Sequence, residues 1–124
     1  MIALDTSSIV AFLRDEPGSD VEAIAVALTE HQACLAPAVL AELLSDPRLP
    51  ARVASLFRRL PLLSVSDGYW ERVGALRAAV IARGRTARLA DALIAQTCLD
   101  HEVALVTRDA DFRNFALVRP LKLP

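Results

Sequence analysis

Four acidic residues stand where an acid is out of place or unusually well aimed: Asp5, Glu42, Asp91 and Asp109. Asp91 falls in the nearly apolar stretch LADALIAQTC. Residues three, four and seven apart share a helical face, so its carboxylate lies in line with Ile94, Ala95 and Cys98. A charge on a face meant for the core is costly unless something pairs with it. Asp5 follows the apolar run MIAL, and Asp109 follows ALVT and Arg108, with Asp111 close behind. On AVLAELL, Val39, Leu40, Leu43 and Leu44 make an apolar stripe, and Glu42 falls about 60° from Val39, on its border.

Each acid also has an ordinary role open to it. Asp5 could cap a helix starting near Ser7, and Asp109 could cap a turn through Phe112. Asp91 lies in a first helical turn, where the macrodipole favours an anion by roughly 0.3–1 kcal/mol. Glu42 could simply be solvated. Taken together they point elsewhere, because an α/β arrangement sends all four to one end of one sheet. Two unit charges 4 Å apart repel by roughly 4 kcal/mol at an effective dielectric near 20. A divalent cation reverses the sign of that interaction. A ligand set of oxygens alone, without His or Cys, points to Mg²⁺ or Mn²⁺. Ser7 and Thr107 stand beside carboxylates and could hydrogen-bond the waters such an ion keeps.

The elements that must position these acids alternate along the chain. MIAL reads as a strand and SIVAFLRD as a short helix stopped near Pro17-Gly18. SDVEAIAVALTEH is helical, ACLAP a brief strand, and AVLAELLSD a helix ended by Pro47. PARVASLFRRL is helical, LLSV a strand, and a long helix runs from Asp67 to about Arg83. RLADALIAQTCLDH is the next helix and VALVT a strand. RDADFRNF is a turn or short helix, and ALVRPLKL a last short strand. Strands alternating with helices predict an α/β fold with a mostly parallel sheet. In such sheets ligands bind beyond the carboxyl ends of the strands.

The 124 residues suit one domain, residues 1–124, with 54% hydrophobic and 23% charged residues, as in globular chains. No apolar run approaches the roughly 18 residues that span a bilayer. MIALDTSS lacks a basic leader, which predicts no signal peptide. Cys34 and Cys98 sit in apolar segments and read as reduced core thiols, which suits the cytoplasm. Net charge is −1, but it is unevenly divided. Residues 1–47 carry one arginine against eight acids, net −7, and residues 48–88 carry nine arginines against two acids, net +7. The middle third could offer a cationic surface to a polyanion, or only solvated helix faces balanced within the fold.

The stretches ALDTSSIVAFL, PAVLAELL, RLADALIAQTCLDHEVALVTRD and the closing Asp111-Phe112, in this order, resemble the PIN-domain family. Within it they are most similar to VapC-type toxins of type II toxin–antitoxin (VapBC) pairs. The resemblance spans nearly the whole chain. It implies a three-layer α/β/α sandwich around a small, mostly parallel sheet of four or five strands. It implies an Mg²⁺- or Mn²⁺-dependent endoribonuclease with a VapB-like antitoxin partner and a homodimeric state. Carried over position by position, the metal-binding and catalytic acids are Asp5, Glu42, Asp91 and Asp109, with Thr6 or Ser7 and Thr107 as supporting hydroxyls. The gap between Arg108 and Asp111-Phe112 is shorter than in many relatives, so Asp109 and Asp111 compete for the fourth place. Asp109 is preferred because it directly follows the strand.

The chemistry expected is hydrolysis of an RNA phosphodiester by water, leaving a 5′-phosphate and a 3′-hydroxyl. Glu42 or Asp91 would accept the water's proton. Arg83, Arg85 and Arg88, in ARGRTARLAD, are candidates for gripping the RNA backbone, although solvated loop arginines would look the same. No aromatic stacking platform is legible. Two other readings compete. Phosphotransfer through an aspartyl-phosphate also uses strand-end aspartates, but Ser7 stands where a second Asp is expected and the only lysine is Lys122. A non-catalytic module could use the same acids to dock a basic partner.

Overall fold

The computed structural model describes residues Met1–Pro124. Three strands, β1 (Ile2–Leu4), β2 (Ala33–Cys34) and β3 (Ala104–Val106), are joined through seven helices. These are α1 (Thr6–Leu13), α2 (Ser19–Thr29), α3 (Pro37–Leu44), α4 (Ala51–Arg58), α5 (Tyr69–Ala82), α6 (Leu89–His101) and α7 (Arg113–Ala116). A 3₁₀ turn over Ala110–Phe112 leads into α7. No helix is long and apolar enough to cross a membrane.

The sheet is parallel, with β1 between β2 and β3. Ala3, Leu4, Ala33, Cys34, Leu105 and Val106 are all buried. Successive strand residues point to opposite faces, so burial of both residues of each pair means that helices cover both faces. The core is one continuous cluster, in which Ile9, Ile24, Val39, Leu76, Ile94 and Phe112 meet these strand residues.

The sheet is smaller than the four or five strands expected. LLSV contributes only an isolated parallel bridge between Leu35 and Leu62. Pro61 precedes it, and pairing ends after the Leu35 and Leu63 amides have bonded. ALVRPLKL forms no strand. Ala116 closes α7, Pro120 lacks an amide to donate, and only the Lys122 carbonyl reaches β3, accepting from Leu105. Counting the Leu62 bridge, the third, second, first and fourth extended segments of the chain stand side by side. The direction of winding reverses between β1 and β3.

Two contacts fix α6, the helix carrying Asp91, against α5. The Tyr69 hydroxyl donates to the Leu93 carbonyl at 2.7 Å. Arg72 forms a fork on Asp100, at 3.0 and 2.7 Å, and Gln96 adds a third donor at 2.8 Å. Gln96 therefore has a structural partner of its own.

Candidate metal centre

At a winding reversal, a crevice opens beyond the carboxyl ends of the two diverging strands. Asp5 follows β1 there, and Thr107, Arg108 and Asp109 follow β3. Asp5 is buried and caps α1, with extended backbone and its Oδ2 accepting from the Ser7 amide at 3.4 Å. The ordinary cap role is thus filled, but it uses only one oxygen. The Ser7 hydroxyl donates to the same Oδ2 at 2.6 Å and the Thr107 hydroxyl at 2.8 Å. A hydroxyl has one proton, so both are committed to Asp5, whereas the sequence had suggested that they bond the waters of an ion. Each hydroxyl also accepts from the β3 loop, Thr107 from the Asp109 amide at 3.0 Å and Ser7 from the Arg108 amide at 3.3 Å. The two strand ends are laced together through two hydroxyls.

Glu42 projects from α3, where Pro37 occupies the first turn and Val39 and Leu43 face the core. It is exposed, and its Oε1 accepts from the Thr6 hydroxyl at 2.8 Å. Leu44, expected in the buried stripe, is 38% exposed. Asp91 lies in the first turn of α6, in line with the fully buried Ile94, Ala95 and Cys98. Arg88 precedes that helix and provides no side-chain cap, so the amide dipoles of the first turn are left to act on Asp91. Asp109 caps the 3₁₀ turn, its Oδ1 accepting from the Asp111 amide at 2.9 Å.

Carboxylate oxygens of Asp91, Asp109 and Asp111 all lie within 4.8 Å of one another. Both candidates for the fourth acid therefore stand beside Asp91. Asp5 and Glu42 lie outside this tightest group, yet their fields reach it. Burial first, then the charges of Asp109, Asp5 and Glu42, push the Asp91 carboxyl up to about 6, against a small opposing pull from Arg88. Asp91 itself makes no hydrogen bond or ion pair with the protein.

The donor set can be tested against a divalent ion. Asp5 Oδ1, Glu42 Oε2, Asp109 Oδ2 and both oxygens of Asp91 and Asp111 have no partner in the chain. Every acid therefore keeps at least one oxygen available. Oxygens about 2.0–2.1 Å from an Mg²⁺ ion span roughly 4 Å across it, close to the 4.8 Å within which the Asp91, Asp109 and Asp111 oxygens lie. Hard oxygen donors, with no imidazole or thiolate among them, match the same class of ion.

Arg83, Arg85 and Arg88 are exposed on the segment joining α5 to α6, and Gly84, at φ 73°, makes its turn. None of the three pairs with an acid. Sequence reasoning missed a different arginine. Arg108 forks onto Asp20 at 2.8 and 3.0 Å and also reaches Glu16 at 3.3 Å and the Pro17 carbonyl at 3.2 Å. The Ser8 hydroxyl donates to Asp20 at 2.8 Å. This clamp ties the α1–α2 turn to the loop that carries Asp109. A pairing across 88 positions leaves no periodic signal in the sequence.

The PIN domain family model matches residues 2–117. No curated protein matches the sequence. Solved structures match over nearly their full length. VapBC2 from Rickettsia felis, bound to a promoter DNA fragment, shares 23% identity at a TM-score of 0.75, covering 100% of this chain and 98% of that one. FitAcB from Neisseria gonorrhoeae shares 24% at 0.71, covering 99% and 96%. DNA-bound VapBC from Salmonella typhimurium shares 20% at 0.75, covering 100% and 98%. At these identities the likeness speaks to the fold.

Proposed function

The chain belongs to the PIN-domain family, and from that premise we propose that it is a metal-dependent endoribonuclease acting as a VapC-type toxin. The observation that carries the proposal is the convergence on Asp91. Acids from three other parts of the chain crowd a half-buried carboxylate that has no partner within the protein.

Asp5, Glu42, Asp91 and Asp109 would hold Mg²⁺ or Mn²⁺, with Asp111 beside Asp109 as a further oxygen donor. Such an ion supplies two things: a lowered pKa for a water it binds, and positive charge opposite a phosphate. The remaining work falls to the chain. Ser7 and Thr107 fix the rotamer of Asp5 and leave its Oδ1 free. Thr6 does the same for Glu42. Glu42, the exposed acid of the set, or Asp91 would accept a proton from the attacking water. Arg83, Arg85 and Arg88, on the segment that leads into α6, are assigned to the RNA backbone. Attack by water rather than by the ribose leaves a 5′-phosphate and a 3′-hydroxyl.

The partners of this reading are RNA, a VapB-like antitoxin and a second copy of the chain. Relatives of the same fold were solved as VapBC and FitAB assemblies, which supports an antitoxin here. The cytoplasm is the matching location.

Incubation of the protein with cellular RNA and Mg²⁺, followed by mapping of fragment ends, tests the proposal. We expect cleavage with 5′-phosphate ends, abolished by EDTA and by Asp5→Asn. The amide keeps an acceptor for the α1 cap, so that variant separates charge from folding. Wild-type protein that leaves RNA intact with either metal, or an Asp5→Asn protein that cuts at the wild-type rate, overturns it.

A further inference from the structure

One wall of the metal centre is also the wall of a second concavity. Thr6 and Glu42 line a groove of about 360 Å³ between α1, α3 and the α3–α4 loop. Leu13, Leu49, Arg14 and Arg48 line it as well. Neither arginine side chain makes a hydrogen bond or an ion pair within the protein. The arginines with clear structural duties do: Arg72 on Asp100, Arg77 on the Ala87 carbonyl, and Arg108 on Asp20. One further acid, Asp46, lines the groove, and its Oδ1 is engaged by the Arg48 amide at 2.9 Å.

We infer that this groove is the path of the RNA strand next to the scissile bond, with Arg14 and Arg48 each holding a backbone phosphate. The inference rests on the nuclease reading and adds to it a second set of contacts, separate from the Arg83–Arg88 segment. Two observations select a nucleic acid as the occupant. The groove shares Thr6 and Glu42 with the centre, so a strand whose phosphate sits among the acids has this channel open to its neighbouring nucleotide. Its cations are unpaired guanidiniums, whose planar fork matches a phosphate. The apolar floor of Leu13 and Leu49 is compatible with a sugar or base face and carries no hydrogen-bonding code, which suits contact that does not depend on sequence.

The test measures binding apart from cleavage. Asp91→Asn protein, with and without Arg14→Ala and Arg48→Ala together, is titrated against a fluorescein-labelled mixed-sequence 20-nucleotide RNA at fixed Mg²⁺ and a series of KCl concentrations. Each phosphate contact on a single strand contributes about 0.7 to the slope of log K against log salt. The triple variant is expected to bind about tenfold or more weakly, with the slope reduced by roughly 1.4. Arg14→Lys with Arg48→Lys is expected to retain most of the slope, which separates lost charge from a damaged fold. Unchanged affinity and slope overturn the groove assignment even where the wild type cuts RNA. So does a loss confined to binding of a protein partner, which would make the groove a protein-docking site. Wild-type protein that neither cuts nor binds the RNA overturns the nuclease reading itself.

Discussion

Asp91 is held in a position that harms the metal-free protein. Its carboxyl titrates at about 6 in the fold against 3.8 for an unperturbed aspartate, chiefly because it is half-buried and next because three acids face it. Between those values the folded state holds a proton that the unfolded state has released. The stability from this group is therefore fully present below about pH 4 and lost as pH rises through 6. In EDTA at pH 7.5, Asp91→Asn is expected to melt higher than the wild type, and the gap should shrink at pH 5. A variant that melts lower at pH 7.5 would mean that the carboxylate is paired in the apo protein after all. Thr107 is argued the same way, one step removed. Its hydroxyl donates to the Asp5 carboxylate and accepts from the Asp109 backbone amide, so it orients one acid and holds the backbone of another. Groups that orient metal ligands are typically worth 10–100-fold in affinity. Thr107→Val is thus expected to raise the Mg²⁺ midpoint of thermal stabilisation by roughly tenfold, with the metal-free melting point changing far less. An unchanged midpoint would reduce Thr107 to a loop contact.

At the scale of elements, the acids were legible because each breaks a pattern its own segment sets. An aspartate ending an apolar run, or facing Ile94, Ala95 and Cys98 on one helix, is an anomaly visible locally. The order of helices was equally legible, since caps and prolines punctuate them: Asp5 before α1, Pro37 at the start of α3, Pro50 before α4. The strand count was not. LLSV and ALVRPLKL have strand-like composition, but whether they pair depends on which edges the tertiary fold leaves open, and here one makes a single bridge and the other a single hydrogen bond. Long-range polar pairs were hidden for a similar reason. The Arg108–Asp20 clamp depends on two loops meeting, and nothing near either residue announces it. Its effect can be isolated. The Arg108 guanidinium holds the Asp20 carboxyl well below the usual carboxylate range, so the pairing is lost only as pH falls below that of an ordinary aspartate. At neutral pH, Arg108→Ala should lower the melting temperature more than Arg113→Ala, whose side chain is exposed and unpaired. Equal effects would show that the clamp adds nothing to the joining of the two loops.

For the whole molecule, the formal charge of −1 conceals a division that the fold puts to use. The sheet brings acids of the first third, Asp5 and Glu42, to acids of the last third, Asp91, Asp109 and Asp111. The resulting negative centre lies next to arginines drawn from all along the chain, from Arg14 and Arg48 in one groove to Arg88 at the start of α6. A polyanionic substrate would be attracted by the surroundings and repelled by the centre until that centre is neutralised. The same imbalance makes folding and metal binding one linked equilibrium. Crowding of acids is most severe in the folded state, because unfolding disperses residues that lie as far as 106 positions apart, such as Asp5 and Asp111. A divalent ion bound only to the folded state then stabilises it by mass action, by about 2.7 kcal/mol at one hundred times its Kd. For a domain of this size that is on the order of 10 °C in Tm. Melting curves across an MgCl₂ titration, with KCl matched for ionic strength, are expected to show a rise that saturates in this range, while KCl alone gives a small and unsaturating change. If Mg²⁺, Mn²⁺ and matched KCl all shift the melting temperature alike, the acids are merely screened, and the convergence on Asp91 is not a metal site.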